Sequence, residues 1–250
     1  MKLNCDIGES FGRYTLGHDQ DIYPHIHMAN IACGFHAGDP MVMEKSVRAA
    51  QKHHVEIGAH PSYPDLQGFG RRNMELSPKE ARQILLYQTG ALDAFCRAAG
   101  TKLSYVKPHG ALYNTMMRDN DLFTALVQAV ADYNSALKMM VQATPRWQEH
   151  QRIAERYHVP LIWEGFADRA YEEDGRLRSR NLPGAVLSEE QILHRVKSLC
   201  QNKPIVASTG KELHFPLDAL CVHGDTEAGI KQIATIRALL DTTRNIQDFP

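Results

Sequence analysis

No run in this sequence approaches the roughly 18 uncharged apolar residues that a membrane span requires. Its first residues, Met1-Lys2-Leu3-Asn4-Cys5-Asp6, hold no apolar signal core. These two absences predict a soluble, cytoplasmic protein with no membrane partner. Blocks of like charge are missing too: 28 basic and 29 acidic side chains leave a net charge of -1, which predicts no nucleic-acid partner. Cysteine is scarce. Cys5, Cys33, Cys96, Cys200 and Cys221 are odd in number and never form C-x-x-C, so neither a disulfide framework nor a zinc ribbon is suggested. Cys5, Cys33 and Cys221 lie in apolar runs and read as small core residues rather than nucleophiles.

Several catalytic signatures are also lacking. No segment fits G-x-x-x-x-G-K-[ST], of which Ser208-Thr209-Gly210-Lys211 carries only a trace, and no G-x-G-x-x-G follows a strand. ATP or a dinucleotide therefore has no evident cradle. A G-x-S-x-G elbow is absent as well, which leaves a serine nucleophile without support. Internal repeats, low-complexity tracts and Pro/Ser-rich linkers are not found, so no domain boundary is visible and one domain over residues 1–250 is expected.

What is present suits one closed α/β barrel: 250 residues, 43% of them apolar and 23% charged. Short apolar runs alternate with helical patterns, which predicts a parallel sheet covered by helices. Seven strands are predicted, at Leu3 to Cys5, Ala29 to Cys33, Val55 to Ala59, Leu103 to Val106, Lys138 to Val141, Leu161 to Trp163 and Ala219 to Val222. Asp39-Pro40 and Ser77-Pro78 place a capping oxygen before a proline already fixed at helical φ. Ser77 to Glu80 and Ser188 to Gln191 fit the capping box, predicting helices at about 78–99 and 188–200. Around Thr209-Gly210 two short runs predict a β-hairpin insertion near 204–216. Glu172 to Arg180 reads as a polar, charged loop.

Six of the seven predicted strands stop at ionisable residues. Asp6 and Glu9 follow the first, His36 the second, His60 and Asp65 the third, Lys107 and His109 the fourth, Glu164 and Asp168 the sixth, and His223 and Asp225 the seventh. Loops after the C-terminal ends of parallel strands converge on one face of a barrel, so these residues should share a pocket. A lone histidine in such a place is more often structural; four after four different strands are harder to explain that way. Glycine accompanies them in Cys33 to Asp39, Gly68 to Arg72, Pro108 to Ala111 and His223 to Asp225, where backbone can approach a ligand closely or simply turn. Two chemistries stay open: a divalent metal held by Asp6, His36, His60 and His109, or metal-free acid–base catalysis. The histidines come from separate strands, so spacing does not choose between them.

At these motifs the chain closely resembles the LamB/YcsF family. The resemblance rests on Leu3-Asn4-Cys5-Asp6-Ile7-Gly8-Glu9, Asn30 to Pro40, Gly58-Ala59-His60-Pro61 running on to Gly68-Phe69-Gly70-Arg71-Arg72, and Lys107 to Asn114. It continues through Glu164 to Arg169 with Tyr171, Pro183-Gly184-Ala185, and Cys221 to Thr226. Lys2 departs from the pattern, since the family commonly has aspartate there. The resemblance implies a seven-stranded β/α barrel similar to polysaccharide deacetylases. It also implies the A component of an ATP-dependent 5-oxoprolinase, which converts 5-oxo-L-proline to L-glutamate with separate B and C subunits.

On that reading the catalytic residues are Asp6, Glu9, His36, His60, His109 and His223. Asp6, with His109, would orient or deprotonate water, and His36, His60 or His223 would stabilise the oxyanion or protonate the leaving nitrogen. Substrate contacts are expected from Asn30, Arg71, Arg72, Lys107, Asn114, Glu164, Asp168 and Asp225. An arginine fork suits a carboxylate or a transferring phosphate equally well. ATP is expected mainly on the partner subunits. The competing readings are a metal-dependent deacetylase or amidohydrolase acting alone, and a non-catalytic scaffold that orders the B and C subunits.

Overall fold

The computed structural model describes residues 1–222 and 227–247, with the backbone alone at 227–230 and 243–247. Seven parallel strands close into a barrel: β1 (Lys2–Ile7), β2 (Met28–Ala32), β3 (Glu56–His60), β4 (Leu103–Val106), β5 (Lys138–Gln142), β6 (Leu161–Phe166) and, after the short strands β7 (Ile205–Val206) and β8 (Glu212–Leu213), β9 (Ala219–Cys221). β9 pairs with both β6 and β1, which removes every free edge of the sheet. β7 and β8 pair antiparallel as a separate hairpin. The helices α1 (Asp19–Ile22), α2 (Pro40–Lys52), α3 (Pro78–Ala98), α4 (Gly110–Met116), α5 (Asn120–Tyr133), α6 (Trp147–Arg156), α7 (Glu189–Cys200) and α8 (Glu227–Gln247) lie along the connections.

Local chemistry explains where these helices begin. The Asp39 carboxylate accepts from the amides of Met41 and Val42 and starts α2, with Pro40 in its first turn. Ser77 and Ser188 form complete capping boxes with Glu80 and Gln191, satisfying amides that have no partner inside α3 and α7. No helix among the described residues is long and apolar enough to cross a membrane.

Strand periodicity divides the core into two regions. One set of side chains, including Leu3, Cys5, Ile7, Ile57, Ala59, Val106 and Val141, packs outward beneath the helices. A smaller apolar cluster of Met28, Tyr105, Met140, Ile162 and Ala219 fills the inside of the barrel. Two residues further along several of these strands, on the same inward face, come Asn30, Lys107, Gln142 and Glu164, all buried. The barrel therefore has an apolar floor and a polar upper layer. Asp6 and Glu164 were expected in loops beyond their strands, but they lie within β1 and β6, and His60 is the last residue of β3. The expectation ended each strand at its first charge. A barrel interior tolerates charge when the charges are paired, so these strands continue past it.

Candidate active site

Asp6, His60, Lys107, Gln142 and Phe166 stand at or near the C-terminal ends of five barrel strands and line one cavity of about 850 Å³. Its wall continues through His109, Tyr113, Asn114, Thr144 and Arg71, and then through the segment from Glu172 to Leu182. The part of that segment from Glu172 to Arg180, read from the sequence only as a polar, charged loop, is in fact one side of the cavity.

The floor is a buried charge network. Lys107 Nζ lies 2.8 Å from Glu164 Oε1 and 3.1 Å from Asp6 Oδ1. Its contact with Glu164 is an ion pair more than an aligned hydrogen bond, because Oε1 meets no donor at hydrogen-bonding geometry. Tyr113 donates its hydroxyl to Glu164 Oε2 at 2.6 Å. Asn30 Nδ2 donates to Asn4 Oδ1 and Asp6 Oδ1, both at 2.8 Å, while Tyr105 donates to Asn30 Oδ1 at 2.7 Å. Burial alone would lower the Lys107 pKa, but the charges beside it, Asp6 and Glu164 among them, outweigh burial and hold the ammonium well above its usual range. Burial, reinforced by Glu164, pushes the Tyr113 phenol far up, so it remains a donor. Asp6 is thus a carboxylate locked in orientation by an amide and an ammonium.

Beside this network stand three histidines. His36 lies flat against His109, with ring centroids 3.7 Å apart and planes 4° from parallel, and His60 meets both rings edge-on. His60 Nε2 is 3.4 Å from Asp6 Oδ2, and His36 Nε2 is 3.2 Å from Glu9 Oε1. Burial first, and then the neighbouring imidazoles, hold His36 and His109 well below the usual histidine pKa, so both are neutral at pH 7. The loop carrying Phe69 and Gly70 turns through positive φ, +55° and +64°. This directs the Phe69 carbonyl at His109 Nε2, 2.9 Å away. A side chain at Gly70 would press on both His36 and His109, so glycine is required there.

Asp6, Glu9, His36, His60, Lys107 and His109 thus come together, and Arg71 and Asn114 line the adjoining cavity. Asn30 and Glu164 are buried behind Asp6 and Lys107 and act by holding them. Arg72 pairs instead with Asp65, and Asp168 is buried near Arg169; neither is among the residues lining the cavity. His223 and Asp225 lie outside the described residues. The sequence reading passed over Asn4, Tyr105, Tyr113 and Arg169 as site residues. For three of them a signal was available, since Asn4 precedes Asp6, and Tyr105 precedes Lys107, by one inward-facing step, and Tyr113 sits one helical turn after His109. Four of the cysteines are buried and Cys200 is half-buried; burial pushes the thiols of Cys5, Cys33 and Cys221 up, Cys33 to about 12. None of these three presents a thiolate.

A closed parallel β/α barrel with an ionisable centre at its strands' C-terminal ends is the architecture of the barrel enzymes. Within that class the chain belongs to the LamB/YcsF family, whose model matches residues 1–249. A protein from Vibrio cholerae serotype O1 that bears the name of the 5-oxoprolinase A component is 51% identical over 242 residues, spanning 96% of this chain and 98% of its own length. A protein of the same name from Pseudomonas fluorescens is 50% identical, spanning 96% and 97%. The crystal structure of the lactam utilization protein from Thermus thermophilus superposes with a TM-score of 0.89 at 37% identity, over 98% of this chain and 97% of that one.

Proposed function

We propose that this chain is the A component of an ATP-dependent 5-oxoprolinase, working in the cytoplasm with B and C subunits to open 5-oxo-L-proline to L-glutamate. The observation that carries the reading is identity near 50% to proteins of that name over nearly the full length of both chains. The cavity supplies chemistry that fits. A lactam carbonyl is a poor electrophile, and transfer of the ATP γ-phosphoryl group to its oxygen makes the ring carbon open to water. The overall reaction consumes two waters, one to open the C–N bond and one to release phosphate.

Nucleotide binding falls to the partner subunits, since this chain offers no phosphate loop, and the barrel takes the lactam or its activated form. Asp6, fixed by Asn30 and Lys107, orients water and accepts its proton. While no ion occupies them, His109 and His60 beside it move protons towards the ring nitrogen, and Lys107 stabilises the negative charge that develops on the oxygen of the carbon under attack. Arg71 and Arg169 at the cavity wall suit the substrate carboxylate or the phosphoryl group. The cluster of Glu9 with three histidines favours one other reading, a metal-dependent amidohydrolase that works without ATP.

Glutamate release from 5-oxoproline separates the two. The chain alone, with or without ATP, should release none, and the mixture with B and C subunits should release it only when ATP is present. Turnover by the chain alone without ATP would establish the second reading.

A further inference from the structure

We propose that Glu9, His36, His60 and His109 form a binding site for one divalent ion of the zinc type. One donor atom from each of the four lies within 4.8 Å of all the others. The four residues arrive from the C-terminal ends of four consecutive strands, β1 to β4, so the barrel itself sets their spacing.

The hydrogen-bond pattern supplies an independent argument. His60 Nδ1 lies 2.7 Å from the Lys107 carbonyl, and His109 Nε2 lies 2.9 Å from the Phe69 carbonyl. A carbonyl oxygen only accepts, so both of these nitrogens carry hydrogen. The opposite nitrogens, His60 Nε2 and His109 Nδ1, then expose lone pairs, and they face each other at 3.0 Å. Asp6 Oδ2 stands 3.4 Å from the first and Glu9 Oε1 3.8 Å from the second. Acceptors converge here from several directions, and a cation among them turns their repulsion into attraction. Imidazoles anchored through their far N–H by backbone carbonyls are the usual support of metal-binding histidines.

The donor set identifies the ion's class. Three imidazole nitrogens and one carboxylate suit zinc and its first-row neighbours, whereas magnesium and calcium prefer oxygen alone. Bonds of about 2.1 Å place tetrahedral ligands roughly 3.4 Å apart. The His60–His109 pair already approaches that spacing, and binding draws the remaining donors inward, tilting His36 off the face of His109. Asp6 stays outside the set: the donor atoms that lie within 4.8 Å of one another are those of Glu9 and the three histidines, while Asn30 and Lys107 hold Asp6 Oδ1. Glu9 takes the place that the sequence had offered to Asp6.

Binding is measured without substrate, so the proposal stands or falls apart from the 5-oxoprolinase reading. The intact chain is stripped with chelator and titrated calorimetrically with zinc chloride, with magnesium chloride as the comparison. One zinc per chain should bind, and its melting temperature should rise with zinc and not with magnesium. Glu9→Gln and His109→Ala should weaken binding by at least about 100-fold, with circular dichroism confirming the fold, and Asp6→Asn should bind as wild type does. Wild-type protein that takes up no zinc would overturn the proposal and leave a proton shared between His60 and His109. Loss of binding in Asp6→Asn with full retention in Glu9→Gln would overturn the ligand set.

Discussion

Lys107 and Glu164 meet at 2.8 Å with their side chains only 4% and 0% exposed. The pair ties β6 to the end of β4 through the barrel interior. An ion pair this deep adds little to stability relative to an apolar pair, but breaking one half is costly because the remaining charge stays buried. Lys107→Met should therefore lower unfolding free energy by about 3–5 kcal/mol, measured by urea denaturation. The double variant with Glu164→Leu should regain much of that loss while remaining inactive. If the single substitution were neutral, Glu164 would have to be solvated or protonated in the folded chain.

This network also marks the limit of what was legible in the sequence. The seven strands were readable because each contains a short apolar run, and α3 and α7 because Ser77 and Ser188 announce them. The charged residues of the strands were readable as a group but misplaced, with Asp6 and Glu164 put beyond strands that in fact contain them. Tyr105 and Tyr113 were not singled out, since their inward spacing from Lys107 and His109 does not show that their hydroxyls end on Asn30 and Glu164. The segment from Glu172 to Leu182 has no periodicity, and its place on the cavity wall comes from tertiary packing alone.

The support beneath Asp6 depends on a glycine. Asp6, Asn30, Gly58 and Tyr105 are in register across β1 to β4, and a Cβ at Gly58 would lie 2.1 Å from the Tyr105 ring. Gly58→Ala should displace that ring, costing about 1–3 kcal/mol through overpacking and freeing Asn30 and Asp6 to move. Tyr105→Phe removes only the hydroxyl, so it should leave the melting temperature closer to wild type while lowering kcat for glutamate formation in the complete complex. Equal melting temperatures for Gly58→Ala and wild type would show that the ring has another place to go.

Arg71 reaches the cavity with its guanidinium 5.0 Å above the Phe69 ring. Arg169, by contrast, is buried and donates to the carbonyls of Arg178 and Ala185. Burial, then the like charges of Arg180 and Arg71, pull its pKa below that of free arginine. Positive charges crowded in this way suit an anionic ligand. Arg71→Ala, at an exposed position, should change stability by no more than about 0.5 kcal/mol while raising KM for 5-oxoproline by about tenfold or more. A fall in kcat at unchanged KM would place Arg71 in the transition state instead of in substrate binding.

His150, far from this chemistry, makes the acid stability of the fold testable. It is fully buried on α6 with its ring centroid 4.6 Å from that of Phe123, and neither ring nitrogen has a hydrogen-bond partner among the described residues. Burial, then the Arg146 charge, pushes its pKa down to about 4, against a smaller opposing pull from Glu149. An unfolded chain protonates histidine near pH 6.5, so between about 6.5 and 4 the unfolded state binds a proton that the folded state refuses. The stabilisation is complete above that window and is lost as pH falls through it. His150→Phe keeps a ring against Phe123 and has no proton to bind. Its melting temperature should exceed that of wild type, with a gap that widens from pH 7 to pH 5. Part of the acid sensitivity should persist in the variant, because His36 and His109 are depressed in the same direction. Parallel curves for the two proteins across that range would mean that His150 finds water or a partner when it takes up its proton.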